Sequence, residues 1–251
     1  MQDYIKIEGF LNCKVEARGP ILYLLKDFDK SYEIYSIYWR VFYKGKYFLI
    51  DTGIKDINYI NTTVKGSSRW EMVNRVKLFD KIDYIFPTHL HYDHASGIYD
   101  YKNAKIIISK KTYENLFDPQ YELIFKEKIY RSTIINNIKS KENIIVFKDG
   151  EAIVDGVKTF WIGGHSPCSQ AIIFDTDFLK NSDYDKKIIF AGDVISTFRN
   201  INEQIPGGYN YSLVDYFNFF KKYTPDRYLV IPSHDKESYE LFNNLEIFGN
   251  S

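Results

Sequence analysis

Apolar and polar side chains alternate along two stretches near the start of the chain, residues 11–25 and 34–48, both rich in β-branched and aromatic residues. They read as strands, with tight turns at Arg18-Gly19-Pro20 and Lys44-Gly45-Lys46, the second closing a hairpin. The apolar run Phe48-Leu49-Ile50 then stops at Asp51-Thr52-Gly53, an acid and a glycine turn at a strand end. Residues 54–66 lose the pattern and read as a loop. Ser68-Arg69-Trp70-Glu71 matches a capping box, and Trp70, Val73, Val76 and Leu78 or Phe79 recur at helical spacing, which predicts a helix. A strand at 82–86 follows. Ala95-Ser96-Gly97-Ile98 opens a helix or turn, and a short buried strand covers 105–108.

Residues 110–140 carry helical patches broken at Asp118-Pro119 and read as a partly helical cover. Short strands at 144–147, 150–154 and 157–162 lead into Gly163-Gly164-His165. Strands at 171–174 and 187–191 flank a polar turn at 180–187, and the second ends in Gly192-Asp193. The loop from 196 to 211 contains Pro206-Gly207-Gly208 and leads to a helix over 213–223, with Ser212 as its cap. A strand at 228–231 ends at Pro232-Ser233-His234, and a final helix is predicted from about 236 to 248. Strands interleaved with helices indicate an α/β fold. No repeat, linker or composition break divides the chain, so 1–251 reads as one domain.

Composition narrows the partners. With 33 basic and 33 acidic residues the formal charge balances at +0, so no global field recruits nucleic acid or an anionic membrane. The N-terminus lacks the charged and apolar order of a signal peptide, and no window approaches the roughly 18 apolar residues of a membrane helix. Cys13 and Cys168 form no C-x-x-C pair and read as reduced thiols in a cytoplasmic protein.

Chemistry concentrates at Thr88-His89-Leu90-His91-Tyr92-Asp93-His94. The chain has five histidines, and three of them fall within these residues. In extended backbone, residues i and i+2 share a side, so His89 and His91 can close on one metal ion. If the chain then turns, Asp93 and His94 point elsewhere and can hold a second. Three further strands end in a potential ligand, His165, Asp193 and His234, and these use the remaining histidines. Nitrogen and oxygen donors of this kind suit zinc, and also accept iron, cobalt or manganese. Asp51 lies upstream as a partner for the other nitrogen of a ligating imidazole.

The ordered set H-x-H-x-D-H, then a distant His, an Asp and a His, resembles the metallo-β-lactamase superfamily from Asp51-Thr52-Gly53 to His234. Within it, the chain length, Gly-His-Ser at 164–166 and His-Asp at 234–235 resemble the N-acyl homoserine lactonases. The resemblance implies a four-layer αβ/βα sandwich with two Zn²⁺ ions. His89, His91 and His165 would hold the first, Asp93, His94 and His234 the second, and Asp193 would bridge them. It further implies a quorum-quenching hydrolase that opens N-acyl homoserine lactones, or a related small ester, by attack of a metal-bridging hydroxide. Asp93 would move the proton to the leaving oxygen. The implied partner is a small molecule, not nucleic acid or a membrane.

A glyoxalase II-like thioesterase and an iron-dependent persulfide dioxygenase share the ligand pattern, and the first resembles this chain less because its relatives carry a helical C-terminal domain. A metal-stabilised binding module would be expected to lack a ligand, and none is lacking. One departure stands out. Those lactonases carry a tyrosine three residues after the bridging Asp, where this chain has Ser196. Tyr92, inside the metal loop, is the first expectation for a substitute phenol, with Tyr209 and Tyr211 behind it.

Overall fold

The first two strands pair along nearly their whole length: β1 (Tyr4–Arg18) runs antiparallel to β2 (Ser31–Tyr43). Lys44 and Gly45, with φ of 45° and 76°, then make the two-residue turn into β3 (Lys46–Ile50). Positive φ at both positions matches the right-handed twist of the flanking strands, which is why glycine sits there. After β4 (Glu71–Met72), β5 (Tyr84–Phe86), β6 (Lys105–Ser109) and β7 (Ile144–Phe147) extend the sheet in parallel from β3. The second sheet contains β8 (Ala152–Val154), β9 (Val157–Trp161), β10 (Gln170–Phe174), β11 (Lys187–Phe190) and β12 (Tyr228–Ile231). Finally β13 (Leu245–Phe248) returns to the free edge of β1. This computed structural model describes residues 4–63, 68–141, 143–176 and 186–248, so the polar turn expected at 180–187 lies almost wholly outside the described residues.

The helices are α1 (Gly19–Leu22), α2 (Ile57–Thr63), α3 (Tyr92–Ala95), α4 (Lys110–Asn115), α5 (Glu122–Phe125), α6 (Ser132–Lys139), α7 (Phe198–Asn202), α8 (Leu213–Lys222) and α9 (Lys236–Phe242). Strand alternation sorts the chain into four layers. Ile172 and Phe174 of β10 face the first sheet, packing in one cluster with Trp39, Val41, Phe48 and Phe86. Their neighbours Ala171 and Ile173 face the other way, onto Tyr216, Phe219 and Phe220 of α8. On the far side of the first sheet, Leu49, Ile85 and Ile106 pack against Ile134, Ile135 and Ile138 of α6. Adjacent strand residues point to opposite faces, so each sheet is apolar on both sides and needs a helical cover. Among the described residues, no helix is long and apolar enough to cross a membrane.

Local patterning fails in several places. No helix forms over 70–79. The Trp70 N–H donates to Asn61 Oδ1 (2.8 Å), and the N–H groups of Val73 and Asn74 donate to the Asn12 carbonyl (2.9 and 2.8 Å). These long-range partners displace the i→i−4 ladder, and only β4 results. Helix α2 arises instead within the expected loop. Asp56 Oδ1 accepts from the N–H groups of Asn58 and Tyr59 at its start, and Ile60 packs into the core. The last helix stops at Phe242, because Asn244 turns left-handed (φ 61°) and sends 245–248 back as a strand. The capped helix after Ser212 forms as expected, its hydroxyl accepting from the Asp215 N–H at 3.3 Å.

Candidate metal centre

The site collects at one end of both sheets, where strands run out into turns. After β3, Asp51 adopts a left-handed conformation (φ 58°) and is buried. Its Oδ1 accepts from the Thr88 N–H at 2.7 Å, and its Oδ2 accepts from His94 Nδ1 at 2.8 Å. The imidazole partner expected at Asp51 is therefore in place, and Nε2 of His94 is turned to the centre. Exchanging Asp51 for Asn confronts either Thr88 or His94 with an amide N–H instead of a carboxylate oxygen. Asp51→Asn should weaken metal affinity about 10–100-fold, read by competition with a chromophoric chelator. Undiminished affinity would mark Asp51 as a turn former only.

His89 follows β5 in a bend, and His91 is the N-cap of α3, with extended backbone (φ −65°, ψ 153°). Asp93 and His94 then lie in the first turn of α3. The change of backbone at His91 splits the motif into two directions, as the spacing predicts. After β9, Gly163 and Gly164 take φ of 61° and 77° and bring in His165, whose Nδ1 donates to the Tyr209 carbonyl at 2.9 Å. After β11, Gly192 (φ 56°) lies so close to Thr88 that any Cβ would collide with its side chain. Glycine alone lets Asp193 approach. After β12, His234 Nδ1 donates to the Tyr35 carbonyl at 2.6 Å.

Two groups of side chains result. Ligand atoms of His89, His91 and His165 lie within 4.8 Å of one another, and so do those of Asp93, His94, Asp193 and His234. Asp193 reaches both: Oδ1 is 2.9 Å from His234 Nε2 and 3.1 Å from His94 Nε2, while Oδ2 is 3.6 Å from His165 Nε2. Among the described residues, Nε2 of His89 and of His91 is buried with no hydrogen-bond partner, and Nε2 of His94 faces Nε2 of His234 at 3.3 Å. Buried lone pairs without donors are uncommon in folded proteins. The nitrogens that face one another, His94 Nε2 with His234 Nε2 and His91 Nδ1 with His165 Nε2 at 3.1 Å, with the opposite nitrogens of His94, His165 and His234 held by oxygen acceptors, fit metal cations. Ser233 donates to Asp193 Oδ1 at 2.8 Å and Tyr216 to its carbonyl at 3.2 Å, both unforeseen from sequence. Ser233 adjoins His234 and could have been flagged; Tyr216 lies 23 residues from Asp193 and could not.

Protonation separates the two groups. Burial pulls His89 and His165 below the ordinary imidazole range and takes His91 to about 3, so these rings are neutral. Burial acts the same way on His94 and His234, but Asp193 and Asp93 outweigh it and raise both. In metal-free protein those two therefore take up protons more readily than the first group, and an ion binding there competes with protons. Metal affinity of the second group should rise with pH through neutrality, whereas the first should hold its ion at lower pH. Zinc titrations at about pH 6 and pH 8 should show one tight ion and then two. Simultaneous loss of both at the lower pH would contradict this.

A cavity of about 630 Å³ opens over the centre, with His91, Asp93, His165, Asp193 and His234 in its wall. Val15, Ala17, Ile34 and Ile129 contribute apolar lining, while Arg18, Glu127 and Lys128 are charged. Ser196 also lines it, its hydroxyl donating to the Asp193 carbonyl at 3.3 Å. Tyr92 does not. Its ring is fully buried 4.4 Å from that of Tyr59, and its electrostatic neighbours are Arg131 and Asp56. The expectation of a substrate-facing phenol at Tyr92 is corrected: on α3 that side chain follows His91 by one position and points into the core.

Residues 35–234 match the metallo-beta-lactamase superfamily. Among curated relatives, the N-acyl homoserine lactonase of Bacillus cereus is 31% identical over 123 residues, 49% of this chain and 42% of that protein. That of Bacillus thuringiensis is 27% identical over 127 residues, 51% and 44% of the two chains. The matched part thus spans less than half the length of these relatives. An N-acyl homoserine lactone hydrolase with N-hexanoyl-L-homoserine at its catalytic metal centre superposes with a TM-score of 0.73, at 17% identity over 96% of both chains. A probable metal-dependent hydrolase from Staphylococcus aureus gives 0.68, at 17% identity over 98% of both. The two-sheet fold and the match across most of the chain agree: it belongs to the metallo-β-lactamase superfamily.

Proposed function

We propose that the chain is a dinuclear zinc-dependent hydrolase that opens N-acyl homoserine lactones or a related small ester. The observation that carries this reading is the pair of buried donor groups, joined by Asp193, on the wall of a partly apolar cavity. His89, His91 and His165 would hold one ion, and Asp93, His94 and His234 the other, with Asp193 shared. Divalent ions held there would lower the pKa of water to about 7 and polarise an ester carbonyl.

The chain's own residues do the rest. The Tyr35 and Tyr209 carbonyls and the Asp51 carboxylate fix the rings of His234, His165 and His94, so little reorganisation is needed on binding. In metal-free protein His94 and His234 overcome burial and hold Asp93 below the ordinary carboxylate range, and bound cations would act in the same sense. Ionised at neutral pH and on the cavity wall, it can accept a proton and deliver it to the leaving oxygen. Val15, Ala17, Ile34 and Ile129 offer an acyl chain an apolar wall. The names of the similar lactonases support the lactone, and the reading assigns the enzyme to small molecules in the cytoplasm, not to nucleic acid or membranes.

The test is hydrolysis of a panel of lactones, thioesters, β-lactams and phosphodiesters by zinc-loaded protein. Lactones should be opened fastest. Clear thioester or phosphodiester cleavage without lactone opening would overturn the substrate assignment and keep the metallohydrolase.

A further inference from the structure

Opening an ester places negative charge on the carbonyl oxygen, and one well-placed hydrogen-bond donor there is worth about 10²–10³ in rate. The side chains around the cavity differ in their fitness to supply it. Ser196 is short and its hydroxyl is already turned to the Asp193 carbonyl. Tyr92 faces the core. Tyr211 packs edge-on against Tyr121, with ring centroids 5.3 Å apart, and is not in the cavity wall.

Tyr209 is different on four counts. It lines the cavity. Its ring lies 5.4 Å from that of His165 and 5.7 Å from that of His91, so it rests over the first donor group. Its segment is pinned on both sides: the Gly208 N–H donates to the Ile21 carbonyl at 2.9 Å, and the N–H groups of Tyr211 and Ser212 donate to the Gly164 carbonyl at 2.7 and 2.9 Å. Lastly, its hydroxyl donates to Glu127 Oε2 at 2.7 Å, and Glu127 is itself a cavity residue. The phenol is thus kept on the cavity side, on an acceptor that a substrate oxygen can replace.

We propose that Tyr209 is a catalytic residue whose hydroxyl leaves Glu127 to donate a hydrogen bond to the carbonyl oxygen of the bound ester. The exchange moves one donor between two acceptors; no covalent bond is made or broken in it. The inference rests on the ester-hydrolase reading above. Tyr209 is 45% exposed, which leaves room for the small rotation this requires.

Tyr209→Phe isolates the claim, because it keeps the ring against His165 and the backbone carbonyl that His165 uses. In zinc-loaded protein it should lower kcat for lactone opening about 10²-fold, with KM changed by less than about threefold. Zinc content and melting temperature should stay near wild type. Inhibition by a phosphonate that mimics the tetrahedral carbon should weaken in parallel with kcat/KM. Tyr211→Phe, a neighbouring phenol on the same loop, is the control and should be as fast as wild type. If Tyr209 only braces the loop, Tyr209→Phe would lose zinc or thermal stability along with activity, and phosphonate inhibition would not follow kcat/KM; that result overturns the proposal. So does an unimpaired kcat. Wild type that opens no lactone or ester would sink the hydrolase reading as well, whereas active wild type with an equally active Tyr209→Phe would sink this inference alone.

Discussion

Asp193→Ala should empty both metal positions, whereas His234→Ala should empty one. Asp193 is the carboxylate whose two oxygens reach different donor groups, Oδ1 toward His94 and His234 and Oδ2 toward His165. Removing it leaves two cations facing each other with less screening, and deprives the Ser233 hydroxyl of its acceptor. His234 approaches only the second group, with its Nδ1 committed to the Tyr35 carbonyl. Plasma mass spectrometry after equilibration with limiting zinc should therefore find almost none on Asp193→Ala and about one ion on His234→Ala. Turnover by Asp193→Ala should fall by at least about 10³, equivalent to about 4 kcal/mol of barrier. Equal zinc in the two variants would reduce Asp193 to a turn residue after Gly192.

The second large effect is expected at the first group. His91 and His165 stand with facing nitrogens 3.1 Å apart, both rings buried and neutral. Replacing either with Ala removes one of three nitrogens and leaves a cation beside apolar and π surface, including the Tyr130 ring at 4.6 Å from that of His91. His91→Ala and His165→Ala should each lose the first ion while retaining much of the second, and kcat should drop by about 10² or more. Far-ultraviolet dichroism should be unchanged, since both side chains end on turns outside the strands. A folded variant with full zinc and full turnover would remove these residues from the centre.

How much of this was readable in advance follows from what carries the information. The donor set was legible because it uses all five histidines, in an order set by four strand ends. Asp51 was legible for the same reason, as an acid closing an apolar strand. The helix after Ser212 was legible because its cap and its apolar face agree locally. The misread region at 68–79 obeys a different rule. Asn12 and Asn61 reach it from distant sequence and take its backbone donors, and no local period encodes that. Tyr92 was misjudged through the same gap, since its burial depends on Tyr59 of α2, a helix the local pattern hides. The Tyr35 and Tyr209 carbonyls that set the histidine rings belong to the backbone, so side-chain identity gives no sign of them.

The central claim is that seven side chains form one centre for two ions that the reaction requires. It is tested most directly by counting zinc and activity together on the wild-type chain, by plasma mass spectrometry and lactone opening, through chelation and stepwise reloading at about pH 8. The account predicts close to two ions per chain, loss of turnover on chelation and recovery that is complete only as the second ion binds. A folded chain that retains full turnover without tightly bound metal would contradict it.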